Sequence, residues 1–428
     1  MLLRSSFTLI TIFIGLFSLK ATAQESNLYL AATTIQKRAT LYQNLTKNIK
    51  RDLLYSLKDD HDDKWLDAIA SLELLQFKDE PTNKRIENAI DSIGFLSDEL
   101  KKQLIQLAYS NYPGIFKNQI LELIKKISDP EVFAYGAEYI LRNKNDSFNL
   151  NQIKLLLHQK FPDFDKSNTI LTLLQNHIDQ ELNKNPHFSS KLISDLINKH
   201  FLPGEIILYS FQRSNRDFPG LVLIRKPNGT FIKDSANNFY NVPQLARSIT
   251  NMPYYLKYGN TPQGLYKMNG FGVSMSSFIG PTPNIQLQMP VEVSLQTFFK
   301  DSTITDTAWN LSYYEKLLPP SLKKYKPIYE CYYAGAVGRT EIIAHGSTIN
   351  PDYYYGHPYF PHTPSEGCLT TSEIWNGKRL QSNQQLIING LLSAGGAHGY
   401  CLVIDIDDKN APVKIEDLLP FLKAAEKE

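Results

Sequence analysis

The sequence predicts a multidomain protein: an all-α N-terminal part, built as a helical bundle or an irregular α-solenoid, followed by a mainly-β part with a few helices. Three observations lead there. Apolar residues recur three and four apart from about residue 27 to 200, which is the helical period. The texture changes at the stretch from His200 to Glu205, beyond which short β-branched and aromatic runs are broken by Pro, Gly and Asn. With 428 residues the chain is also too long for one ordinary hydrophobic core.

Before the helices comes a leader. Arg4 precedes an apolar run from Phe7 to Leu19 and the small-residue site Ala21-Thr22-Ala23, the layout of a secretory signal peptide. The run is shorter than the roughly 20 residues of a membrane span. The expected organisation is therefore a leader over 1–23 cleaved after Ala23, a helical domain over 24–203 and a second domain over 204–428. Cleavage removes Arg4 and Lys20 from 45 basic residues, leaving as many as the 43 acidic ones. A neutral chain offers no basic field for nucleic acid.

Within the helical part Trp65, Ile69, Leu72 and Leu75 share one face. A helix is expected to end near Ile127, with Ser128 or Asp129 capping the next and Pro130 in its first turn. In the second part strands are predicted at 205–211, 221–226 and 230–234, the last two joined by Pro227-Asn228-Gly229. Further strands are expected at 341–345 and 400–406, with a helix around Gln384 to Leu392, and residues 290 to 325 carry mixed signals. Asp405 and Asp407 alternate with Ile and read as a solvent face.

Cysteine use is sparse. Cys331, Cys368 and Cys401 are too few for a disulfide scaffold, and an odd number leaves one unpaired. Cys331 and Cys401 both lie in strand-like runs, and either pair or are two buried thiols.

Chemistry concentrates between residues 341 and 375. His345 ends an apolar strand run and is followed by Gly346, which delivers a side chain to a sheet rim. Cys368 follows Gly367 and precedes a helix-like stretch, so its thiol and backbone N–H are candidates to share a turn. A neighbouring imidazolium and backbone N–H groups would favour the thiolate, and the same N–H groups would suit an oxyanion. His357 and His362 invite a zinc site with His345, but no HExxH, CxxC or paired carboxylates accompany them, so neither metal nor cofactor is expected. His398 is an alternative base.

These residues resemble the L,D-transpeptidase (YkuD-type) catalytic domain, whose pattern is a strand-end His-Gly, a loop and then Ser-x-Gly-Cys. His345-Gly346-Ser347 and Ser365-Glu366-Gly367-Cys368 fit its two halves. Thr261-Pro262-Gln263-Gly264-Leu265-Tyr266 is similar to its upstream Thr-Pro-x-Gly-x-Tyr/Phe segment. The resemblance spans about residues 205 to 407 and implies a mainly-β L,D-transpeptidase-like fold there. It also implies an exported enzyme of the periplasm or cell wall, acting on peptidoglycan stem peptides and open to carbapenem-type inhibitors. Cys368 would be the nucleophile and His345 its base, oriented by the Gly346 carbonyl. Ser365 would shape the loop, and Gly367 and Cys368 would supply oxyanion donors.

Glu366 stands where many members have His or Arg, and Thr370 where many have Asn or Arg. Both positions touch substrate in the family, so substrate preference is where this chain would differ. The 23 positions from His345 to Cys368 exceed the family's usual spacing. The extra residues, Pro351 to Pro361 with Tyr355 among them, are a candidate lid over the substrate or a Tyr- and Pro-rich loop folded back on its own domain. Alternatives are an L,D-carboxypeptidase or related cysteine hydrolase at the same nucleophile and, from another class, a non-catalytic wall-binding protein. The helical half is the candidate surface for a protein partner.

Overall fold

The computed structural model describes residues 28–57, 61–142, 147–183 and 190–427; the leader expected over 1–23 lies outside them. The N-terminal part is helical and the C-terminal part carries a large mixed sheet.

Helices Asp62–Leu75, Asp98–Asn111, Pro130–Leu141 and Thr169–Asn183 form an inner row in which each touches the next. Helices Ile35–Asp52, Glu80–Asp91, Lys117–Lys126 and Ser147–Lys160 flank this row. The helix starts follow from short polar side chains. Asp79, Ser97 and Asp129 accept hydrogen bonds from the backbone N–H groups of Thr82, Leu100 and Val132 at 2.9, 3.2 and 2.8 Å. Pro130 occupies the first turn, as expected. Helix Pro130–Leu141 is buried from Val132 to Leu141, which suits a segment apolar on nearly every face. Trp65, Ile69, Leu72 and Leu75 are all buried in this core.

Helix Ser190–Ile197 packs elsewhere. Ile193, Leu196 and Ile197 join the core of the sheet, and Tyr209 donates to Leu196 O at 2.8 Å. Packing thus changes before this helix, whereas the texture of the sequence changes after it.

Ten strands come next among the described residues: β1 (Ile207–Arg213), β2 (Gly220–Arg225), β3 (Asn241–Gln244), β4 (Gly264–Gly272), β5 (Asn284–Gln288), β6 (Ile343–Gly346), β7 (Leu369–Thr371), β8 (Glu373–Asn376), β9 (Lys378–Ser382) and β10 (His398–Asp407). Eight form one sheet in the order β3-β2-β1-β10-β4-β5-β6-β7, and β8 with β9 makes a hairpin. The pairs β1–β10 and β6–β7 are parallel, the rest antiparallel. The two edges of the sheet meet, because Leu245, one residue past β3, exchanges two 2.8 Å hydrogen bonds with Thr370 of β7. Strands β1 and β2 are buried throughout, which suits the apolar runs 206–209 and 221–224.

Several local expectations are corrected. Residues 230–234 form only isolated bridges, Arg225 with Phe231 and Lys233 with Phe239. Cys331 lies in a short helix, Glu330–Ala336, and not in a strand. Cys368 leads into β7, not into a helix. Asp405 is buried against Arg216 at 2.7 Å, and Asp407 pairs with the buried Arg213 at 2.6 Å, so neither belongs to a free solvent face. Cys331 and Cys401 are buried and unpaired. Residues 290–325 pack down on the sheet core through Phe298, Tyr314 and Leu322.

The parallel pairing of β6 with β7 needs a crossover, and the aromatic stretch supplies it. Tyr354 and Tyr359 are fully buried and join the helical core, along with Leu245, Met252, Tyr255 and Leu256 from the segment before β4. Tyr354 donates to Leu74 O at 3.0 Å. The stretch read as a lid or as a loop folded back on its own domain is anchored between the two parts of the chain.

Candidate functional site

The crossover brings the two halves of the motif together. Pairing sets Ala344 against Leu369 and His345 against Thr370. Cys368, just before β7, is therefore level with Ile343, on the strand beside His345 and displaced by two residues. Neighbouring strands about 4.8 Å apart with a rise of about 3.3 Å per residue put the two Cα atoms roughly 8 Å from each other.

His345 is buried, and its Nδ1 lies 3.1 Å from Gly346 O. A carbonyl only accepts, so Nδ1 carries the proton and Nε2 keeps its lone pair in the neutral ring. Burial pushes the His345 pKa down to about 4, which leaves the ring neutral at pH 7. The Cys368 thiol, half-buried, donates to Glu341 O at 3.6 Å. Burial pushes its pKa up to about 11, against a lowering contact from the Ile343 backbone. The resting pair is thus thiol and neutral imidazole, opposite in sense to the thiolate–imidazolium expected from the sequence. Among the described residues no hydrogen bond joins Cys368 to His345.

The turn before Cys368 is built by Ser365 and Gly367. Ser365 Oγ donates to Cys368 O at 3.0 Å and accepts from Gly367 N–H at 3.2 Å. Gly367 has φ +121°, a conformation side chains rarely adopt, and a Cβ there would lie 2.3 Å from Arg339 Nη2. The Gly367 N–H is thereby engaged, whereas Cys368 N–H meets no acceptor among the described residues. Of the two expected oxyanion donors, Cys368 N–H is the one left available. Thr261 ties the third motif to this turn, donating to Gly367 O at 2.8 Å.

The remaining predicted residues divide. Thr370 is fully buried and donates to Thr363 O at 2.7 Å, so its hydroxyl braces the loop instead of facing a ligand. Glu366 is exposed beside the thiol, and its charge opposes thiolate formation there. Tyr355 is 80% exposed, its ring 5.5 Å from that of Phe360 in an edge-on pair. His357 stacks on Tyr359 at 5.0 Å, and His362 is buried with Nδ1 unpartnered among the described residues. Among the described residues no group of three or more His, Cys, Asp or Glu is arranged to hold a metal ion. His398 is at the start of β10, paired with Asn269.

Two contributors went unrecognised in the sequence. The Glu341 carbonyl meets the thiol; its residue is left-handed at φ +62°, with its N–H held by Glu292 at 2.9 Å. Arg339 lies buried under Gly367. Both precede β6 and neither belongs to a motif; Glu341 opens the strand expected at 341–345 but is left-handed and lies outside β6. No family model, curated protein or solved structure matches this chain. No helix among the described residues is long and apolar enough to cross a membrane.

Proposed function

We propose that the C-terminal part is an L,D-transpeptidase-like catalytic domain and the protein a cysteine acyltransferase of peptidoglycan. The observation that carries the reading is the parallel β6–β7 register. It sets the strand-end His345, its Nδ1 held by Gly346 O, beside the strand that leaves the Ser365-Glu366-Gly367-Cys368 turn.

In this reading His345 Nε2 takes the Cys368 proton as Sγ attacks the carbonyl of the third residue of a stem peptide. The Cys368 N–H stabilises the tetrahedral oxyanion. Collapse breaks the peptide bond, the proton on His345 passes to the leaving amine, and a terminal D-amino acid departs from a Cys368 thioester. An amine of a second stem then attacks the thioester and restores the thiol. Because thiol and imidazole are both neutral at rest, the proton moves only as the carbonyl is engaged. An exported location, in the periplasm or wall, belongs to the same proposal.

Mass spectrometry of muropeptides after incubation with the protein and with Cys368→Ala tests it. New 3→3 cross-links dependent on Cys368 are the expected result; shortened monomers would redirect the assignment to carboxypeptidation. No cysteine-dependent product of either kind would overturn the reading. A covalent carbapenem adduct on Cys368 is expected in either of the first two cases.

A further inference from the structure

Arg339 is a buried cation without an anionic partner among the described residues. It is 9% exposed, and among the described residues the groups whose charge acts on its guanidinium are Tyr266, Cys368 and Tyr135, with no carboxylate. Backbone carbonyls hold it instead: Nη1 donates to Tyr254 O and to Asn260 O, the latter at 2.9 Å, and Nη2 to Gly259 O at 3.0 Å. Carbonyl dipoles neutralise a charge only in part, so burying a guanidinium this way is costly and leaves a positive field around it. That field acts on the turn of the nucleophile. Gly367 packs so closely on Nη2 that only a residue without Cβ fits, and the Arg339 charge favours the Cys368 thiolate.

The same carbonyls connect the helical part to this turn. The segment from Tyr254 to Asn260 is gripped by the helices, since Tyr255 donates to Glu138 and Tyr135 to Lys257 O at 3.4 Å. Tyr255 and Leu256 are part of the helical core. A continuous series of contacts thus runs from helix Pro130–Leu141 through this segment and Arg339 to Gly367.

We propose that Arg339 is the positioning residue of the nucleophile: seated on the segment that the helical part holds, its guanidinium supports the Gly367–Cys368 turn and supplies the positive charge that balances a thiolate or oxyanion there. The helical part is then a structural component of the reactive site. The inference deepens the acyl-transfer reading and rests on it for its purpose, but its test needs no wall substrate.

The test is the rate of Cys368 alkylation by iodoacetamide between pH 8 and 10 in the full chain, read by peptide mass spectrometry. Buried Cys331 and Cys401 report folding by staying unlabelled. Arg339→Gln keeps an amide donor for the carbonyls and removes the charge; its rate is expected to fall at least about fivefold, because less thiolate forms at each pH. A merely structural role predicts the reverse, since a loosened turn exposes the thiol and speeds labelling. A folded Arg339→Gln that reacts as fast as the unaltered protein, or faster, overturns the inference. Should that variant label at Cys331 and Cys401, Arg339→Lys decides. A lysine ammonium does not reach the seat of the guanidinium under Gly367 and carries the charge away from the thiol, so a fall of about threefold is expected and an unchanged or faster rate overturns the inference. A positive result beside an absence of cysteine-dependent muropeptide products would sink the acyl-transfer reading and leave the role of Arg339 standing.

Discussion

With no substrate bound, Cys368 is expected to be slow toward alkylating agents, and the size of the effect is set by its surroundings. Burial holds the thiol at about 11, so about one molecule in 10⁴ carries a thiolate at pH 7. A free thiol with a pKa of about 8.5 carries about one in thirty, roughly 300 times more. The more basic thiolate is the better nucleophile, and a Brønsted slope of about 0.4–0.5 over about 2.5 units returns roughly a factor of ten. The net expectation is alkylation about thirtyfold slower than glutathione at pH 7, rising tenfold per pH unit up to about pH 10. Iodoacetamide kinetics with peptide mass spectrometry measure this directly. A Cys368 that reacts at the glutathione rate or above, with a plateau between pH 6 and 8, would refute the reasoning. Such a profile is that of a preformed ion pair with His345, and it would require a His345 that is charged and not neutral.

Other outcomes concern stability. Tyr354→Ala removes a fully buried ring and its bond to Leu74 O; urea unfolding should show a loss of about 3–5 kcal/mol, and Tyr354→Phe a loss of about 1 kcal/mol. A loss under half a kcal/mol for the alanine variant would mean the crossover is not anchored in the helical core. Acid should also destabilise the protein between about pH 6.5 and 4. His345 and His362 are both held neutral by burial, with pKa values down to about 4. The unfolded chain binds their protons first as pH falls, so their stabilisation is complete above the unfolded pKa of about 6.5 and is lost down to the folded value, about 3 kcal/mol for each. Denaturation midpoints at pH 7 and pH 5 check the sign, and His362→Phe should remove about half of the dependence. A midpoint that rises from pH 7 to pH 5 would contradict it.

The sequence carries what repeats locally and hides what is built over distance. Helix starts at Asp129-Pro130 and the buried face of Trp65, Ile69 and Leu72 were legible because capping and periodicity act within a few residues. Cys331 read as a strand because aromatic neighbours favour sheets on average, yet its packing under Tyr314 and β4 places it on a helix. Asp405 alternates like a surface residue and is buried, since Arg216, nearly two hundred positions away, compensates its charge. At the site the same division holds. His345, Ser365, Gly367 and Cys368 sit in short patterns, and each has a local backbone reason to be there.

Arg339 belongs to no pattern, because its role is defined by carbonyls at 254, 259 and 260 and by a turn at 367. The aromatic stretch shows how little composition alone decides. Tyrosines beside a nucleophile suggest a surface for substrate, but Tyr354 and Tyr359 are spent on joining the helical part to the sheet, and only Tyr355 and Phe360 keep exposed rings. The crossover from His345 to Cys368 is long enough to reach the helical core. The long His345–Cys368 spacing and the N-terminal helices are therefore one structural feature, and removing the helices would expose the buried faces of Tyr354 and Tyr359 on the loop that leads into Cys368.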